Sequence, residues 1–162
     1  MAAKLEFSDY IALRNLAFDW AESYDTKNWD QLRQCLALST FLDFRSLQGA
    51  RHENLSPDEY AGIIIGMIGD KRLRTQHLIG ATKLECLDDG SVRVDNQIRV
   101  AHQRHETEDP TSAVINKGHG YGVTTHWYRK VEGAWKIEGA SSNLYWAEYD
   151  LFGTLAPPEA ST

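Results

Sequence analysis

The segment Arg74–His105, RTQHLIGATKLECLDDGSVRVDNQIRVAHQRH, decides the fold of this 162-residue chain. Its two halves are long and strand-like, with apolar residues returning at alternate positions in the second half, which is the pattern of a strand with one buried face. Asp88-Asp89-Gly90 lies between the halves and is a typical turn sequence. The segment therefore predicts two long neighbouring strands, Arg74 to Cys86 and Ser91 to His105.

Two further strands are predicted after this segment. Lys117 to Val131 and Ala134 to Ala140 are again strand-like, and Val131-Glu132-Gly133-Ala134 predicts a tight hairpin between them. Gly118-His-Gly-Tyr-Gly122 alternates glycines along the first of these strands. Because alternate glycines of a strand share one face, we expect another part of the chain to pack closely there, inside a tightly curved sheet.

Helices are predicted before the segment. Apolar residues at three- and four-residue spacing indicate an amphipathic helix from Asp9 to Tyr24, and a short helix from Trp29 to Leu36 precedes a strand from Ser39 to Arg45. The capping sequence Ser56-Pro57-Asp58-Glu59 opens another helix, which Gly69-Asp70 ends. Helices followed by strands predict one α+β domain, residues 1–162, with the helices against a curved, mostly antiparallel sheet.

The composition argues against several classes of function. The net charge of −6 disfavours nucleic acid and anionic membrane surfaces as partners, because both attract basic patches. Only two cysteines occur, without CxxC spacing or a Cys/His cluster, so neither a metal site nor a disulfide framework is indicated. The sequence has no run of apolar residues long enough to span a membrane and no apolar signal-peptide core at its beginning. We therefore expect a cytoplasmic protein.

Histidines are the candidate catalytic groups, because imidazole exchanges protons near neutral pH. His102 shares the parity of the apolar positions in its strand, so it faces the core or a pocket. A lone residue of this kind is more often a core histidine bonded to backbone. His77 on another strand and the Tyr24-Asp25 pair at the end of the first helix favour an acid–base site, since a carboxylate orients a histidine and raises its basicity. No GxSxG element or reactive cysteine setting favours a covalent nucleophile.

The chain resembles the scytalone dehydratase family of fungi across nearly its whole length. The resemblance lies in FSDY (7–10), WAESYD (20–25), NWDQLR (28–33), LDFRS (42–46), LRTQHLIG (73–80), QIRVAHQR (97–104), KGHGYG (117–122), HWYRK (126–130) and WAEYD (146–150). It implies a cone-shaped α+β barrel in which N-terminal helices pack on a curved, mixed sheet, and a homotrimer. It also implies a lid formed by residues 142–155, and we expect residues 156–162 to be disordered.

The resemblance implies a lyase that removes water from a cyclic hydroxy-ketone polyketide in fungal secondary metabolism, such as a hydroxylated tetralone of a melanin-type pathway, without a metal or organic cofactor. By this analogy His77, oriented by Asp25, takes the proton alpha to the carbonyl and then assists the departing hydroxyl. His102 assists or positions the leaving group, and Tyr24 holds the carbonyl through a water. These four residues are the predicted catalytic set.

The sequence departs from the family pattern at the predicted substrate contacts. Phe44 stands where the family has a second tyrosine, and Gly122 and Thr124 replace a serine and an asparagine. Leu151 and Leu155 replace aromatic residues of the lid, so a less hydroxylated or larger polyketide is expected. The predicted substrate-binding residues are Phe44, Leu47, Gly122, Thr124, Leu144, Trp146 and Leu151.

Two other functions are compatible with the same residues. The base and pocket would also serve a cyclase, isomerase or decarboxylase acting on a related natural-product intermediate. A non-catalytic ligand-binding or interaction module is the other alternative, because folds of this kind also serve as scaffolds.

Overall fold

A computed structural model of the protein describes residues 5–156. In chain order the elements are α1 (Phe7–Thr26), α2 (Trp29–Cys35), β1 (Leu36–Asp43), a short 3-10 turn (Arg45–Leu47), β2 (Arg51–Leu55), α3 (Pro57–Ile68), β3 (Leu73–Cys86), β4 (Val92–His105), β5 (Val114–Val131), β6 (Ala134–Tyr149) and α4 (Leu151–Leu155). The predicted disorder of residues 156–162 concerns positions that, apart from Ala156, lie outside the described residues.

The six strands form one sheet in the order β2-β1-β6-β5-β4-β3. Every neighbouring pair is antiparallel except β1 and β6, which run parallel. The predicted fold class, α+β with helices on a curved, mixed and mostly antiparallel sheet, is confirmed. The three long strands β3, β4 and β5 pair over almost their full lengths, so the segment Arg74–His105 forms the hairpin that its pattern predicts.

The two predicted turns are confirmed and depend on glycine. Gly90 and Gly133 have φ of 83° and 84°, in the left-handed region that other residues avoid. Glu132 also has a positive φ, 49°, and Val131 pairs with Ala134. Two consecutive residues with positive φ match the right-handed twist of the strands they join, which is why this short connection favours a hairpin.

Several predicted boundaries need correction. Strand β6 runs on to Tyr149 instead of ending at Ala140, because residues 143–149 are mostly exposed and therefore lack the alternation of a half-buried strand. The prediction also ended α2 one residue late and began β1 three residues late, since Leu36 starts the strand. It missed β2, a short and mostly exposed edge strand of sequence RHENL.

Helix α1 packs its apolar face on β3 and α2. The buried side chains of this face are Leu13, Ala17, Trp20, Ala21 and Tyr24. Helix α3 begins with the predicted capping box, in which the Ser56 hydroxyl accepts from the Glu59 amide while the Glu59 carboxylate accepts from the Ser56 amide. It contributes Tyr60, Ile64 and Ile68 to the same core. The helices therefore cover the inner face of the sheet.

The expected close packing occurs at both ends of the glycine run. A Cβ atom at Gly118 would lie 2.3 Å from Cα of Leu151, and one at Gly122 would lie 2.0 Å from the carbonyl oxygen of Asn143. Side chains at these positions would displace α4 or β6 from the sheet. Among the described residues no helix is both long and apolar enough to cross a membrane.

Candidate active site

A cavity of about 750 Å³, its open mouth included, lies between the helices and the inner face of the sheet. Apolar side chains make up most of its wall. Strands β4 and β6 provide Ile98, Val100 and Leu144, and helices α3 and α4 provide Ile64, Met67, Ile68, Leu151 and Leu155. Polar groups are few in such a wall, so each has a strong effect on a bound ligand.

Asp25 and His77 form a tightly bonded pair at this cavity. Asp25 lies in the last turn of α1 and reaches β3, where its Oδ1 atom is 2.6 Å from Nδ1 of His77 and accepts from the Thr75 hydroxyl at 2.9 Å. Its Oδ2 atom accepts from the His77 amide at 2.8 Å. A carboxylate only accepts, so Nδ1 of His77 carries the proton in the neutral ring and Nε2 keeps its lone pair. This is the arrangement of an oriented general base.

His102 presents the same tautomer for a different reason. Its Nδ1 atom lies 3.0 Å from the carbonyl oxygen of Gly118, which can only accept, so Nδ1 donates and Nε2 is the free nitrogen. Burial, followed by the repulsion of a charge on His77, lowers the pKa of His102 to about 4. The ring is therefore neutral at physiological pH, and Nε2 accepts a hydrogen bond instead of donating a proton.

Aromatic rings hold these groups in place. The ring centroids of Tyr24 and His77 are 5.2 Å apart, and those of His77 and His102 are 6.3 Å apart. Trp20 packs on Tyr24 at 4.6 Å. The Tyr24 hydroxyl lies 3.2 Å from that of Tyr60, and burial raises the pKa of Tyr24 well above its ordinary value. Tyr24 therefore stays protonated, and when Tyr60 donates to its oxygen the Tyr24 proton is available to a ligand at the cavity wall.

The structure brings most of the predicted residues together. Tyr24, His77 and His102 line the cavity, and Asp25 lies behind His77 as its hydrogen-bond partner. Of the predicted substrate contacts, five line the same cavity: Phe44, Leu47, Gly122, Leu144 and Leu151.

Thr124 and Trp146 do not line the cavity. Thr124 is buried, and its hydroxyl donates to the carbonyl oxygen of Ser141 at 3.3 Å. Trp146 lies on the outer face of the sheet, 56% exposed and stacked on Tyr121 with ring centroids 5.1 Å apart. The cause is a bulge: Gly122 pairs with Leu144 but Tyr121 pairs with Trp146, so one extra residue reverses the side that Trp146 faces.

Sequence reasoning missed several contributors to the site. Trp20 lines the cavity one helical turn before Tyr24, so the periodicity of α1 carried its signal. Ser46 fastens the loop that bears Phe44 and Leu47, because its hydroxyl donates to the Ser142 carbonyl and accepts from the Leu144 amide. Nothing local in the sequence indicates this contact, which joins residues almost a hundred positions apart.

The site is suited to proton abstraction from carbon. It combines an oriented imidazole with a free nitrogen, a protonated phenol and a neutral second imidazole in an apolar cavity, where electrostatic interactions are stronger than in water. Within residues 5–156 no three His, Cys, Asp or Glu side chains come together as metal ligands would.

Comparisons with known proteins show the family of the chain. The sequence model of the scytalone dehydratase family matches residues 4–158. Scytalone dehydratase PfmaJ of Pestalotiopsis fici is 40% identical over 149 residues, covering 91% of this chain and 78% of that protein. Scytalone dehydratase arp1 of Aspergillus fumigatus is 39% identical over 158 residues, covering 94% of each chain. A type 2 hexachlorocyclohexane dehydrochlorinase, LinA, shares the fold with a TM-score of 0.72 at 14% identity, covering 94% of this chain and 96% of that one. The chain belongs to the scytalone dehydratase family.

Proposed function

We propose that the protein is a cofactor-independent hydro-lyase that removes water from a cyclic β-hydroxy ketone of polyketide origin in fungal secondary metabolism. The observation that carries the proposal is the His77–Asp25 pair, whose free imidazole nitrogen belongs to a residue lining an apolar cavity. Relatives that are scytalone dehydratases, at about two-fifths identity, support the reaction class.

The reaction follows from the hydrogen-bond roles of the three side chains. Nε2 of His77 takes the proton from the carbon alpha to the carbonyl, and the C–H electron pair forms an enolate whose oxygen Tyr24 stabilises as a donor, directly or through a water. The enolate then expels the β-hydroxyl, and the imidazolium of His77 returns its proton so that water leaves. Nε2 of neutral His102 accepts a hydrogen bond from the departing hydroxyl and holds it in line.

The substrate is expected to carry few hydroxyl groups. Phe44 and Gly122 offer the cavity no side-chain donor, and Leu151 and Leu155 close it with aliphatic groups. A polar ligand group left unpaired in such a wall loses its hydration without compensation. Residues 142–155 would act as the lid. In this lid the end of β6 carries α4, and α4 closes the cavity.

The test is turnover of β-hydroxytetralones by purified protein, followed by mass spectrometry of the product. We expect loss of one water by the wild type and a decrease in kcat of about 10²–10⁴-fold for His77→Ala. His52→Ala changes a histidine outside the cavity and serves as the matched control. Unchanged turnover by His77→Ala would refute the proposal. A product of unchanged mass, or one that has lost carbon dioxide, would assign the site to an isomerase, cyclase or decarboxylase.

We also propose that the protein acts as a homotrimer in the cytoplasm. Its outer sheet face carries an aromatic patch, with Trp146 stacked on Tyr121 and Tyr149 packed on His119 at 5.2 Å. Exposed aromatic clusters of this kind are typical of protein interfaces. Light scattering should give the mass of a trimer for the wild type. We expect Trp146→Glu to lower this mass. Phe18→Glu, which changes an exposed aromatic residue of α1, is the control and should leave the mass unchanged. A monomeric wild type would refute the trimer. Recovery of the protein in the membrane fraction of a fungal extract would refute the cytoplasmic location.

A further inference from the structure

Helix α4 begins directly on top of Gly118. A methyl group at this position would lie 2.3 Å from Cα of Leu151 and 2.7 Å from the carbonyl oxygen of Asp150. These distances are shorter than van der Waals contacts, so only glycine lets the chain lie there. The Asp150 amide donates to the carbonyl oxygen of Lys117 at 3.1 Å. The first turn of α4 therefore packs directly on the backbone of β5.

The same glycine orients His102. Gly118 and His102 are opposite each other in the register of β4 and β5, and the Gly118 carbonyl accepts the Nδ1 proton of His102 at 3.0 Å. This bond fixes the orientation of the ring and leaves Nε2 free. Gly118 therefore contacts α4 through its Cα and bonds the His102 ring through its carbonyl oxygen.

Arg104 holds the other end of α4. It lies two positions after His102 on β4, so both side chains point to the same face. Its Nε and Nη2 atoms donate to the Thr154 carbonyl at 3.1 and 2.8 Å, and Nη2 also donates to Ala156 at 3.1 Å. Its Nη1 atom donates to Asp70, two residues after the end of α3, at 2.7 Å. With 6% of the side chain exposed, these charge-assisted bonds are shielded from water.

We propose that Gly118 and Arg104 are positioning residues that make the placement of His102 depend on the seating of α4 over the cavity. When α4 is packed on Gly118, Leu151 and Leu155 close the cavity and water is excluded from the His102 ring. When α4 lifts, water reaches the imidazole, and the carbonyl that orients the ring loses its cover. The inference rests on the proposed function only in giving His102 a role toward substrate; the coupling itself is a property of the fold.

The titration of His102 reports on this coupling. The charged or titratable groups near its ring are His77 on β3, His119 on β5 and Asp25 on α1, and burial is the main reason why its pKa is low. In Gly118→Ala the new methyl pushes α4 away, so we expect the His102 pKa, followed by NMR, to rise by about one unit or more. Amide exchange of residues 151–155 should become at least about tenfold faster.

Gly120→Ala is the matched control. Its methyl would lie 3.4 Å from Leu144 and 3.6 Å from Leu151 side-chain atoms, so it fits on the same face of the same strand without moving α4. We expect the His102 pKa and the exchange of residues 151–155 to remain as in the wild type.

Arg104→Lys tests the other contact, and remains informative if Gly118→Ala fails to fold. Lysine keeps a positive charge beside Asp70, but its single ammonium nitrogen replaces the planar fork whose three nitrogens reach the Thr154 and Ala156 carbonyls and Asp70 together. We expect faster exchange in α4 and a raised His102 pKa together. A loosened α4 with the His102 pKa still about 4, or no change in either quantity, would overturn the coupling. Failure of every hydroxytetralone to react would refute the proposed function while leaving these two readouts interpretable.

Discussion

The substitution Asp25→Asn replaces one oxygen of the site by an amide group and is expected to switch the tautomer of His77. The Oδ2 position accepts from the His77 amide, a donor that cannot reverse, so the asparagine oxygen must occupy it. The NH₂ group then occupies the Oδ1 position, 2.6 Å from Nδ1 of His77. Nδ1 must become the acceptor, the ring proton moves to Nε2, and the nitrogen that would act as the base loses its lone pair.

The expected loss in kcat is about 10³–10⁴-fold, the size of the penalty when an orienting carboxylate is replaced by an amide and the base adopts the wrong tautomer. The fold should be nearly unaffected, because the side-chain shape is kept. Two assays check this: turnover of the β-hydroxytetralone, and nitrogen NMR shifts that distinguish Nδ1–H from Nε2–H.

Thr75→Ala is the control for Asp25→Asn. It removes the other donor to Oδ1 but leaves the carboxylate, so we expect a loss of at most about tenfold. Asp25→Asn with more than about a tenth of wild-type turnover, or with His77 still protonated at Nδ1, would refute the tautomer argument.

Three further predictions concern the cavity wall, the core and acid stability. Phe44→Tyr supplies the missing donor, so turnover of a polyhydroxylated tetralone should rise about tenfold in a kinetic assay; a fall would contradict the expected contact. Leu32→Ala, at a fully buried position outside the cavity, should lower the free energy of unfolding in urea by about 2–5 kcal/mol and leave kcat unchanged. Burial lowers the pKa of His126 to about 3 and that of His102 to about 4, so the unfolded chain binds more protons between pH 6.5 and 4 and stability falls as the pH drops through this range. His126→Leu should remove on the order of 3 kcal/mol of that fall in urea titrations at several pH values; an unchanged slope would contradict the assignment.

The parts of the fold that the sequence predicts are those where one face of an element is buried. The β3–β4 hairpin and helix α1 show clear periods because one face of each packs on the core. The end of β6 and the edge strand β2 have no fully buried face, so no period marks them. The sequence pattern of alternation cannot reveal them.

The site divides in the same way. The parity of β4 puts His102 on the inner face, but the contact of Asp25 with His77 joins residues fifty-two positions apart and depends on how α1 crosses β3. Family resemblance supplied that pairing, and periodicity did not. The prediction of Trp146 as a cavity residue is wrong because a bulge opposite Tyr121 and Gly122 reverses its side, and the strand pairing that creates this bulge is not visible in the sequence.

Labelling the substrate tests the role of His77 most directly. A β-hydroxytetralone deuterated at the carbon alpha to the carbonyl is incubated with the wild type and with His77→Gln, and deuterium loss and water loss are followed together by mass spectrometry. We expect the wild type to remove deuterium and water in one turnover and His77→Gln to be at least about 10²-fold slower in both. Elimination removes one of the two hydrogens at that carbon, so with both replaced by deuterium one deuterium leaves with each water. Equal rates for the two proteins, or water loss with both deuterium atoms retained, would contradict proton abstraction by His77.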